Sequence, residues 1–340
     1  MSKSLFRVVV FSTKNYDQIG LTEALGRSSD AAPISFRFLS SRLSASTAEL
    51  AKDAEAVCVF VNDTVNSEVL KILHDKGIQL IALRCAGFNN VDLKAASELG
   101  ISVVRVPAYS PNAVGEFVAA QLLTLARKIH KAYNRVRENN FDLQGLVGIE
   151  IRGKKAGIVG TGKIGVATAK VLKGLGLELF GFDVFHNQEF IDLGGQYLSL
   201  DELLSQSDIV SLHCPLNEST KYLIRSETIA KMKSGAYLIN TSRGALLDTQ
   251  AVLDALYSGH IGALAIDVYE GEGDLFFEDR SGAIVHDPIL AKLQALPNVL
   301  VTGHQAFLTD VALRNICNIT IDNLSNFYYQ RPLKNKVDPK

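Results

Sequence analysis

The sequence predicts an α/β protein with two doubly wound parallel-sheet domains, and three observations lead to this fold class. Short apolar runs of strand type alternate with helix-like segments along most of the 340 residues. The alternation falls into two series, separated by a stretch at 107–111 that contains two prolines. A glycine-rich turn opens the second series. Repeated strand–helix units of this kind are typical of parallel sheets covered by helices on both faces.

The first series contains five predicted strands with helix-like segments between them. The strands are predicted over 7–11, 34–39, 56–61, 80–83 and 101–106, and the helices over 16–25, 48–55, 67–76 and 91–99. After the prolines at 107 and 111, which indicate a domain junction, one long helix is predicted over 112–138. Its apolar positions lead us to expect that it bridges the domains and contacts a partner subunit.

The second series begins at residue 156 and ends near residue 302. Its strands are predicted over 156–159, 177–182, 208–213, 236–239, 263–267 and 299–301. A last helix, predicted over 311–327, is expected to return and pack on the first domain, which would then be discontinuous. The predicted domains are therefore 1–108 plus 307–340, and 109–306, with a cleft between them and hinges near 107–111 and 303–309.

The turn at 160–165 has the arrangement of a dinucleotide-binding fingerprint. It follows a predicted strand and precedes a predicted helix over 164–174, and the next strand ends at Asp183. Gly160 permits a tight turn, Gly162 allows the backbone to approach a pyrophosphate, and Gly165 allows close packing of helix and strand. The N-terminus of the helix offers unpaired N–H groups to the phosphates.

Asp183 determines which nicotinamide cofactor is expected. Its carboxylate can accept hydrogen bonds from ribose hydroxyls and would repel a 2′-phosphate. The two residues that follow, Val184 and Phe185, supply no arginine to hold such a phosphate. NAD is therefore preferred over NADP as the predicted cofactor.

The bulk composition excludes several other classes of protein. The net charge is −1 and the charges are mixed along the chain, so no nucleic-acid partner is indicated. The four cysteines have no metal-ligand spacing and are typical of reduced core residues, so no metal is expected. The N-terminus lacks a signal-peptide core, and no apolar run could span a bilayer. A cytoplasmic protein without a membrane partner is expected.

Three ionisable residues follow strands of the second series. Ligands bind at the carboxyl ends of strands in open α/β sheets, and Arg243, Glu272 and His304 lie shortly after the strands at 236–239, 263–267 and 299–301. Taken singly, each is also compatible with an ordinary surface role. Together they supply the groups that hydride reduction of a 2-keto acid needs: a carboxylate-binding cation, a proton donor and a group that tunes the donor.

Several motifs resemble those of the D-isomer-specific 2-hydroxyacid dehydrogenases, and within them the fermentative D-lactate dehydrogenase branch. The resemblance covers nearly the whole chain, and its most specific stretches are RCAGFNNVD at 84–92, VPAYSPNA at 106–113, NTSRG at 240–244, DVYE at 267–270, DLFFED at 274–279 and GHQAFLT at 303–309. It implies a flavodoxin-like substrate domain and a Rossmann NAD-binding domain. It also implies NADH-dependent reduction of pyruvate to D-lactate by a homodimer or homotetramer.

The resemblance also implies individual roles. Arg243 would hold the substrate carboxylate, and His304, paired with Glu272, would be the general acid in reduction. The remaining implied substrate contacts are the N–H groups of Ala86 and Gly87 and the side chains of Tyr109, Phe60 and Phe307. The remaining implied cofactor contacts are the N–H groups of Lys163 and Ile164, the ribose-binding Asp183, the groove residues Cys214, Pro215 and Thr220, and Thr241, Ser242 and Asp267 towards the nicotinamide.

The sequence departs from the family pattern at two places. Phe60 stands where several members have Tyr, and Gly115-Glu116-Phe117 replaces the more usual Ala-Glu-His. Two alternatives stay open beside pyruvate reduction. One is an enzyme of a sister branch that acts on a phosphorylated, bulkier or otherwise different 2-keto acid. The other is an NAD-sensing corepressor, which needs the fingerprint but no tuned proton donor.

Overall fold

The fold consists of two parallel sheets, each within its own unit of the chain. The computed structural model describes residues 5–339, apart from the side chain of Asp274. Residues 1–4, on which the expectation about a signal peptide partly rests, lie outside the described part. Contacts divide the chain into residues 1–110 with 308–340, and residues 111–307. The predicted boundaries at 108/109 and 306/307 lie two residues and one residue away from these.

The first unit has a five-stranded sheet of the order β2-β1-β3-β4-β5, in which every pairing is parallel. This is the flavodoxin-like order. The strands are β1 (Phe6–Val10), β2 (Ile34–Phe38), β3 (Ala56–Val59), β4 (Leu80–Leu83) and β5 (Ser102–Val104). The helices are α1 (Asn15–Arg27), α2 (Ser67–Asp75), α3 (Leu93–Glu98) and, from the C-terminal part, α12 (Asp310–Tyr328). One face of the sheet packs on α1 and α12 through buried apolar side chains.

The second unit has a seven-stranded parallel sheet of the order β12-β11-β10-β9-β6-β7-β8. Its strands are β6 (Lys155–Val159), β7 (Glu178–Phe182), β8 (Gln196–Tyr197), β9 (Ile209–Leu212), β10 (Ala236–Asn240), β11 (Ile261–Ile266) and β12 (Val299–Val301). The helices are α4 (Pro111–Ala126), α5 (Ile129–Arg137), α6 (Lys163–Gly174), α7 (Gln188–Asp192), α8 (Leu200–Gln206), α9 (Ser226–Ile229), α10 (Thr249–Tyr257) and α11 (Pro288–Ala295). The strands from β8 through β11 follow the Rossmann order, with β12 added at the edge.

Alternation along the strands explains why this second sheet is covered on both faces. Ile158 and Ile209 belong to a core shared with α4 and α6. Val159 and Val210, one residue further along each strand, belong to a core shared with α8, α10 and α11. Successive side chains of a strand point to opposite faces, so runs that are apolar throughout can fill both cores. The predicted fold class is confirmed.

The predicted long helix over 112–138 is wrong in one respect, because the structure divides it into α4 and α5. Lys128, between the two helices, has a left-handed backbone with φ 53°. A residue in that conformation cannot continue a right-handed helix. Within α4, Gly115 packs against α6, and a Cβ there would lie 2.9 Å from the main-chain nitrogen of Thr168.

Two further elements differ from the expectation. The helix predicted over 48–55 is a single 3₁₀ turn, Ala48–Ala51, and Asp53 with φ 63° follows it. The strand β8 is absent from the prediction, because two residues carry no periodic pattern. Among the described residues, no helix is both long enough and apolar enough to cross a membrane.

Candidate active site

The glycine turn after β6 is required by the packing of the protein itself. Gly160 has φ 94°, and a Cβ on it would lie 2.5 Å from the main-chain nitrogen of Cys214. A Cβ on Gly165 would lie 1.9 Å from the carbonyl oxygen of Gly160. Both distances are far below contact, so side chains are excluded at these two positions. The turn is thereby held against the end of β9 on one side and under α6 on the other.

Gly162 is different, and this difference fits a bound dinucleotide. A Cβ on Gly162 would touch no protein atom within 4 Å, so the fold itself does not require glycine there. Gly162 is also the N-cap of α6 and provides no side-chain cap. The N–H groups of Lys163 and Ile164 in the first turn therefore suit an anion. The hydroxyl of Thr241, at the end of β10, is buried without a hydrogen-bond partner among the described residues.

Asp183, at the end of β7, is held by the glycine turn. Its Oδ2 accepts the main-chain N–H of Thr161 at 2.6 Å and the Thr161 hydroxyl at 3.3 Å. Its Oδ1 accepts the N–H of Phe185 at 3.3 Å. Val184 and Phe185, which follow it, are uncharged and 82% exposed. Asp183 forms no ion pair with any basic group that the structure describes. The ribose role of Asp183 stays a prediction that this arrangement supports.

His304 and Glu272 are brought together at the carboxyl edge of the same sheet. The Nδ1 atom of His304 lies 2.9 Å from Oε1 of Glu272, and both side chains are largely buried. The other carboxylate oxygen of Glu272 accepts the N–H of Tyr269 at 2.8 Å. Because an ionised carboxylate only accepts hydrogen bonds, Nδ1 carries a proton and Nε2 is the nitrogen that can exchange one. The ring of Phe277 packs against the imidazole at 5.5 Å between centroids.

The loop that carries His304 is held by Asp267, which is fully buried. Its carboxylate accepts the hydroxyl of Thr302 at 2.6 Å and the N–H groups of Gln305 and Ala306 at 2.9 and 2.8 Å. Burial raises the pKa of Asp267, and these hydrogen bonds oppose that shift. The predicted contact with the nicotinamide stays a prediction.

His304 itself has an unusual backbone, with φ 54°. Left-handed conformations are uncommon for residues other than glycine and persist where the surroundings impose them. Here the His304 N–H donates to the carbonyl oxygen of Asp267 at 2.7 Å. The main chain of Asp267 therefore fixes His304, and the side chain of Asp267 fixes Thr302, Gln305 and Ala306 on either side of His304.

Arg243 follows β10 and is partly exposed. One guanidinium nitrogen donates to the carbonyl oxygen of Ser242 at 2.6 Å. Arg243 forms no ion pair with any carboxylate that the structure describes. A Cβ on the next residue, Gly244, would lie 2.2 Å from the carbonyl carbon of Tyr269. This close approach packs the arginine turn against the segment that leads to Glu272, so the Arg243 cation and the histidine–carboxylate pair follow strands at one edge of the sheet.

The predicted nucleotide-groove residues form a connected loop after β9. The Ser242 hydroxyl donates to the carbonyl oxygen of Cys214 at 2.7 Å, and the Thr220 hydroxyl donates to that of Pro215 at 2.7 Å. Burial raises the pKa of the Cys214 thiol to about 11 and lowers that of the His213 imidazole to about 3. Both groups are therefore uncharged near neutral pH. Among residues 5–339 no cluster of three His, Cys, Asp or Glu side chains could hold a metal ion.

The predicted substrate-binding loop of the first unit lies after β4. The N–H groups of Ala86 and Gly87 donate to no other described residue, while the carbonyl oxygen of Ala86 accepts from Arg105 at 2.7 Å. Tyr109 accepts a hydrogen bond from Asn315 at its carbonyl oxygen, at 2.6 Å. The loop thus offers two N–H donors, and its predicted role in binding a carboxylate stays a prediction.

Phe60, the predicted wall residue of the first unit, rests on a buried arginine. The Arg84 guanidinium lies 5.1 Å from the centroid of the Phe60 ring and donates to Asp17 at 3.1 Å and to the carbonyl oxygen of Ser12 at 2.8 Å. Asn90 donates to the carbonyl oxygen of Phe60 at 3.0 Å. Phe307, the other predicted wall residue, is buried in the second unit. Neither wall role is tested by these contacts.

Sequence reasoning missed several residues that support the site. Phe277 contacts His304 from within the DLFFED run, and no pattern in that run indicates the packing. Tyr197 and Asn187 form hydrogen bonds with the glycine turn and with each other around Asp183, and they lie in or beside short elements. Their sequence neighbourhood has no motif that could have identified them.

These features together define the class of the protein as an NAD-dependent dehydrogenase. The doubly wound sheet carries a dinucleotide turn, and an acid follows the next strand. A cation and a histidine–carboxylate pair follow other strands at the same edge. Comparisons with known proteins agree. Residues 119–306 match the family model for the D-isomer specific 2-hydroxyacid dehydrogenase NAD binding domain. That match spans more than half of the chain.

Relatives of nearly the same length are similar over the whole chain. The 2-hydroxyacid dehydrogenase A of Aspergillus oryzae is 49% identical over 97% of this chain and 95% of its own. The D-lactate dehydrogenase of Escherichia coli is 48% identical over 94% of this chain and 96% of its own. A solved structure, the pyruvate reductase of Chlamydomonas reinhardtii, superposes with a TM-score of 0.91 at 46% identity and covers 98% and 99% of the two chains. The chain belongs to the D-isomer specific 2-hydroxyacid dehydrogenase family.

Proposed function

We propose that this chain is a D-lactate dehydrogenase that reduces pyruvate to D-lactate with NADH. The hydrogen bond between His304 and Glu272 carries the proposal, because a binding module such as a corepressor needs no oriented proton donor. The names of the Escherichia coli and Chlamydomonas reinhardtii relatives support pyruvate as the substrate. The wall residues that the family resemblance implies, Phe60 and Phe307, are apolar, which favours a small apolar substrate side chain over a phosphorylated one.

The mechanism follows from what the residues can do. NADH, when bound, supplies the hydride. Arg243 binds the substrate carboxylate through two parallel N–H···O bonds and stabilises the negative charge that develops on the keto oxygen. His304 donates the proton on Nε2 to that oxygen and recovers it in the reverse reaction. Glu272 accepts the hydrogen on Nδ1, orients the ring, and stabilises the imidazolium by its charge.

An assay with a panel of 2-keto acids tests the proposal directly. NADH absorbance would be followed with pyruvate, hydroxypyruvate, 2-ketoisocaproate and phenylpyruvate in turn, and the product would be typed with stereospecific enzymes. We expect the largest kcat/KM with pyruvate and the D-isomer as product. A larger kcat/KM with a bulkier acid would assign the chain to a sister activity, and no turnover on any of the four would favour the binding-module alternative.

Replacing Glu272 by glutamine tests the tuning of the proton donor. The amide oxygen of the new side chain can still accept the hydrogen bond from Nδ1, but the charge that stabilises the imidazolium is gone. We expect the alkaline limb of the pH–rate profile for keto-acid reduction to move to lower pH, because the neutral amide no longer stabilises the imidazolium by its charge. Glu270→Gln, two residues earlier, is the control. An unchanged profile would leave Glu272 a structural role only.

We also propose that the chain forms a homodimer through α5 and the segment that follows it. No residue of α5 is buried, and the exposed apolar side chains are Ile129, Tyr133, Val136, Phe141 and Leu143. An apolar surface of this kind is typical of protein–protein contacts. Sedimentation equilibrium should give twice the chain mass of 36.9 kDa, and Phe141→Asp with Leu143→Asp should give the single chain. A wild-type monomer would contradict the proposal.

We further propose that the protein acts in the cytoplasm. Its four cysteines, all buried, form no disulfide, which suits a reducing compartment. Cell fractionation with the keto-acid assay as readout would test this location, and activity confined to an extracellular or membrane fraction would contradict it.

A further inference from the structure

Tyr197 connects the glycine turn to the segment that follows Asp183. Its hydroxyl lies 2.6 Å from that of Thr161, inside the turn, and accepts the main-chain N–H of Asn187 at 2.8 Å. Its ring stacks on His186 at 3.9 Å between centroids, with the planes 10° apart. The Asn187 side chain donates back to the carbonyl oxygen of Thr161 at 3.0 Å. Tyr197 therefore links the glycine turn to the segment after Asp183, and both of these flank the predicted ribose site.

The hydrogen-bond donors in this group fix a single direction. The carboxylate of Asp183 can only accept, so the Thr161 hydroxyl donates its one hydrogen to Oδ2. Donation from Tyr197 to Thr161 is consistent with this bond, and it is the one arrangement in which the Tyr197 hydrogen has an acceptor among the described residues. The Tyr197 oxygen in turn accepts from the N–H of Asn187. The result is a directed chain from Asn187 through Tyr197 and Thr161 to Asp183, in which each bond polarises the next.

This series of hydrogen bonds ends on one oxygen of Asp183, Oδ2, and leaves the other, Oδ1, available to a ligand. Oδ2 takes both the N–H and the hydroxyl of Thr161. Oδ1 accepts, among the described residues, only the N–H of Phe185 at the longer distance of 3.3 Å. A carboxylate held in this way presents a fixed oxygen to the two hydroxyls of a ribose. Without the Tyr197 hydroxyl, the main-chain N–H of Thr161 would still hold Oδ2, but the Thr161 hydroxyl would no longer be fixed towards it, and the carboxylate would be less firmly oriented.

We propose that Tyr197 is a positioning residue for NAD, which orients Asp183 towards the ribose hydroxyls and thereby contributes to discrimination against NADP. The inference rests on the proposed ribose role of Asp183. It requires nothing about the keto acid. Its test measures cofactor binding alone, so it can fail or succeed independently of the proposed substrate.

Tyr197→Phe is the decisive variant because it removes the hydroxyl and keeps the ring that stacks on His186. Dissociation constants for NADH and NADPH can be measured from the fluorescence of the bound cofactor, and the chain contains no tryptophan to interfere. Loss of one hydrogen bond in a polar group predicts an NADH dissociation constant raised by about fivefold or more. The NADPH constant should rise less, because a loosened Asp183 repels the 2′-phosphate less, so the preference for NADH falls.

Tyr237→Phe is the matched control. Tyr237 lies on β10 of the same sheet, is half-buried, and its hydroxyl bonds to no described residue. It should leave both dissociation constants unchanged. The double variant of Thr161→Val and Tyr197→Phe tests the directed chain, and should bind NADH little worse than the weaker-binding single variant. The inference is overturned if Tyr197→Phe binds both cofactors as the wild type does, if it weakens both equally, or if the effects of the two substitutions multiply in the double variant.

Discussion

His304→Asn should lower kcat for keto-acid reduction by about 10²- to 10⁴-fold, the range that general acid catalysis contributes. Asparagine tolerates the left-handed backbone that His304 adopts at φ 54°, so the loop held by Asp267 should keep its conformation. The variant lacks the proton donor on Nε2, and the keto oxygen would have to take its proton from water. NADH binding should change little, because the imidazole is not part of the glycine turn.

The measurement is steady-state NADH oxidation with pyruvate, beside the fluorescence titration of NADH. His286→Asn, at an exposed histidine of the same unit, is the control and should retain wild-type kcat. If kcat of His304→Asn stays within a few-fold of the wild type, His304 is not the acid.

Arg243→Lys should lower kcat/KM for the keto acid by about 10²-fold or more, although it keeps the positive charge. A guanidinium can bind a carboxylate through two parallel hydrogen bonds, and an ammonium cannot reproduce that geometry. Two charge-assisted hydrogen bonds at about 1.5–3 kcal/mol each set the scale of the loss. Arg243→Gln removes the charge as well, so it should lower kcat/KM further than Arg243→Lys does. It should also lower kcat, because the developing alkoxide loses a cation.

Saturation curves in keto acid at fixed, saturating NADH separate the two effects, since KM reports binding and kcat reports stabilisation of the alkoxide. Arg225→Lys, at an exposed arginine of the same unit, is the matched control. A wild-type KM in Arg243→Lys would show that the carboxylate is bound elsewhere.

Most strands could be predicted from the sequence because they are buried on both faces. A strand such as β4, with four apolar residues and turn residues on each side, has no other reasonable interpretation, and its predicted and observed bounds are identical. The break between α4 and α5 could not be predicted. It depends on a lysine in a left-handed conformation, and lysine, unlike glycine or proline, has no preference for ending a helix.

The positions of the candidate site residues could be predicted because parallel strands bring their carboxyl ends to one edge of the sheet. Arg243 and His304 follow strands by a few residues, so counting from strand ends places both at one edge of the sheet, while their catalytic roles stay predictions. The contacts that support them depend on tertiary packing. The hydrogen bonds of Asp267 to residues 302–306 and the bond from Tyr197 to Thr161 connect elements distant in sequence. Contacts of this kind cannot be inferred from the spacing of residues along the sequence.

The first unit is discontinuous, and this affects how the protein is made. Helix α12 covers one face of the first sheet: Ser325 accepts the N–H of Ala32 at 3.0 Å, and Asn323 donates to the carbonyl oxygen of Arg105 at 2.9 Å. During synthesis, residues 5–110 leave the ribosome about 200 residues before α12 does, while the continuous second unit emerges whole. The apolar face that α12 covers therefore stays exposed, or bound by a chaperone, until α12 has been synthesised at the end of translation. A chain that stops after Phe307 would contain both the glycine turn and His304, yet would leave that face uncovered and prone to aggregate.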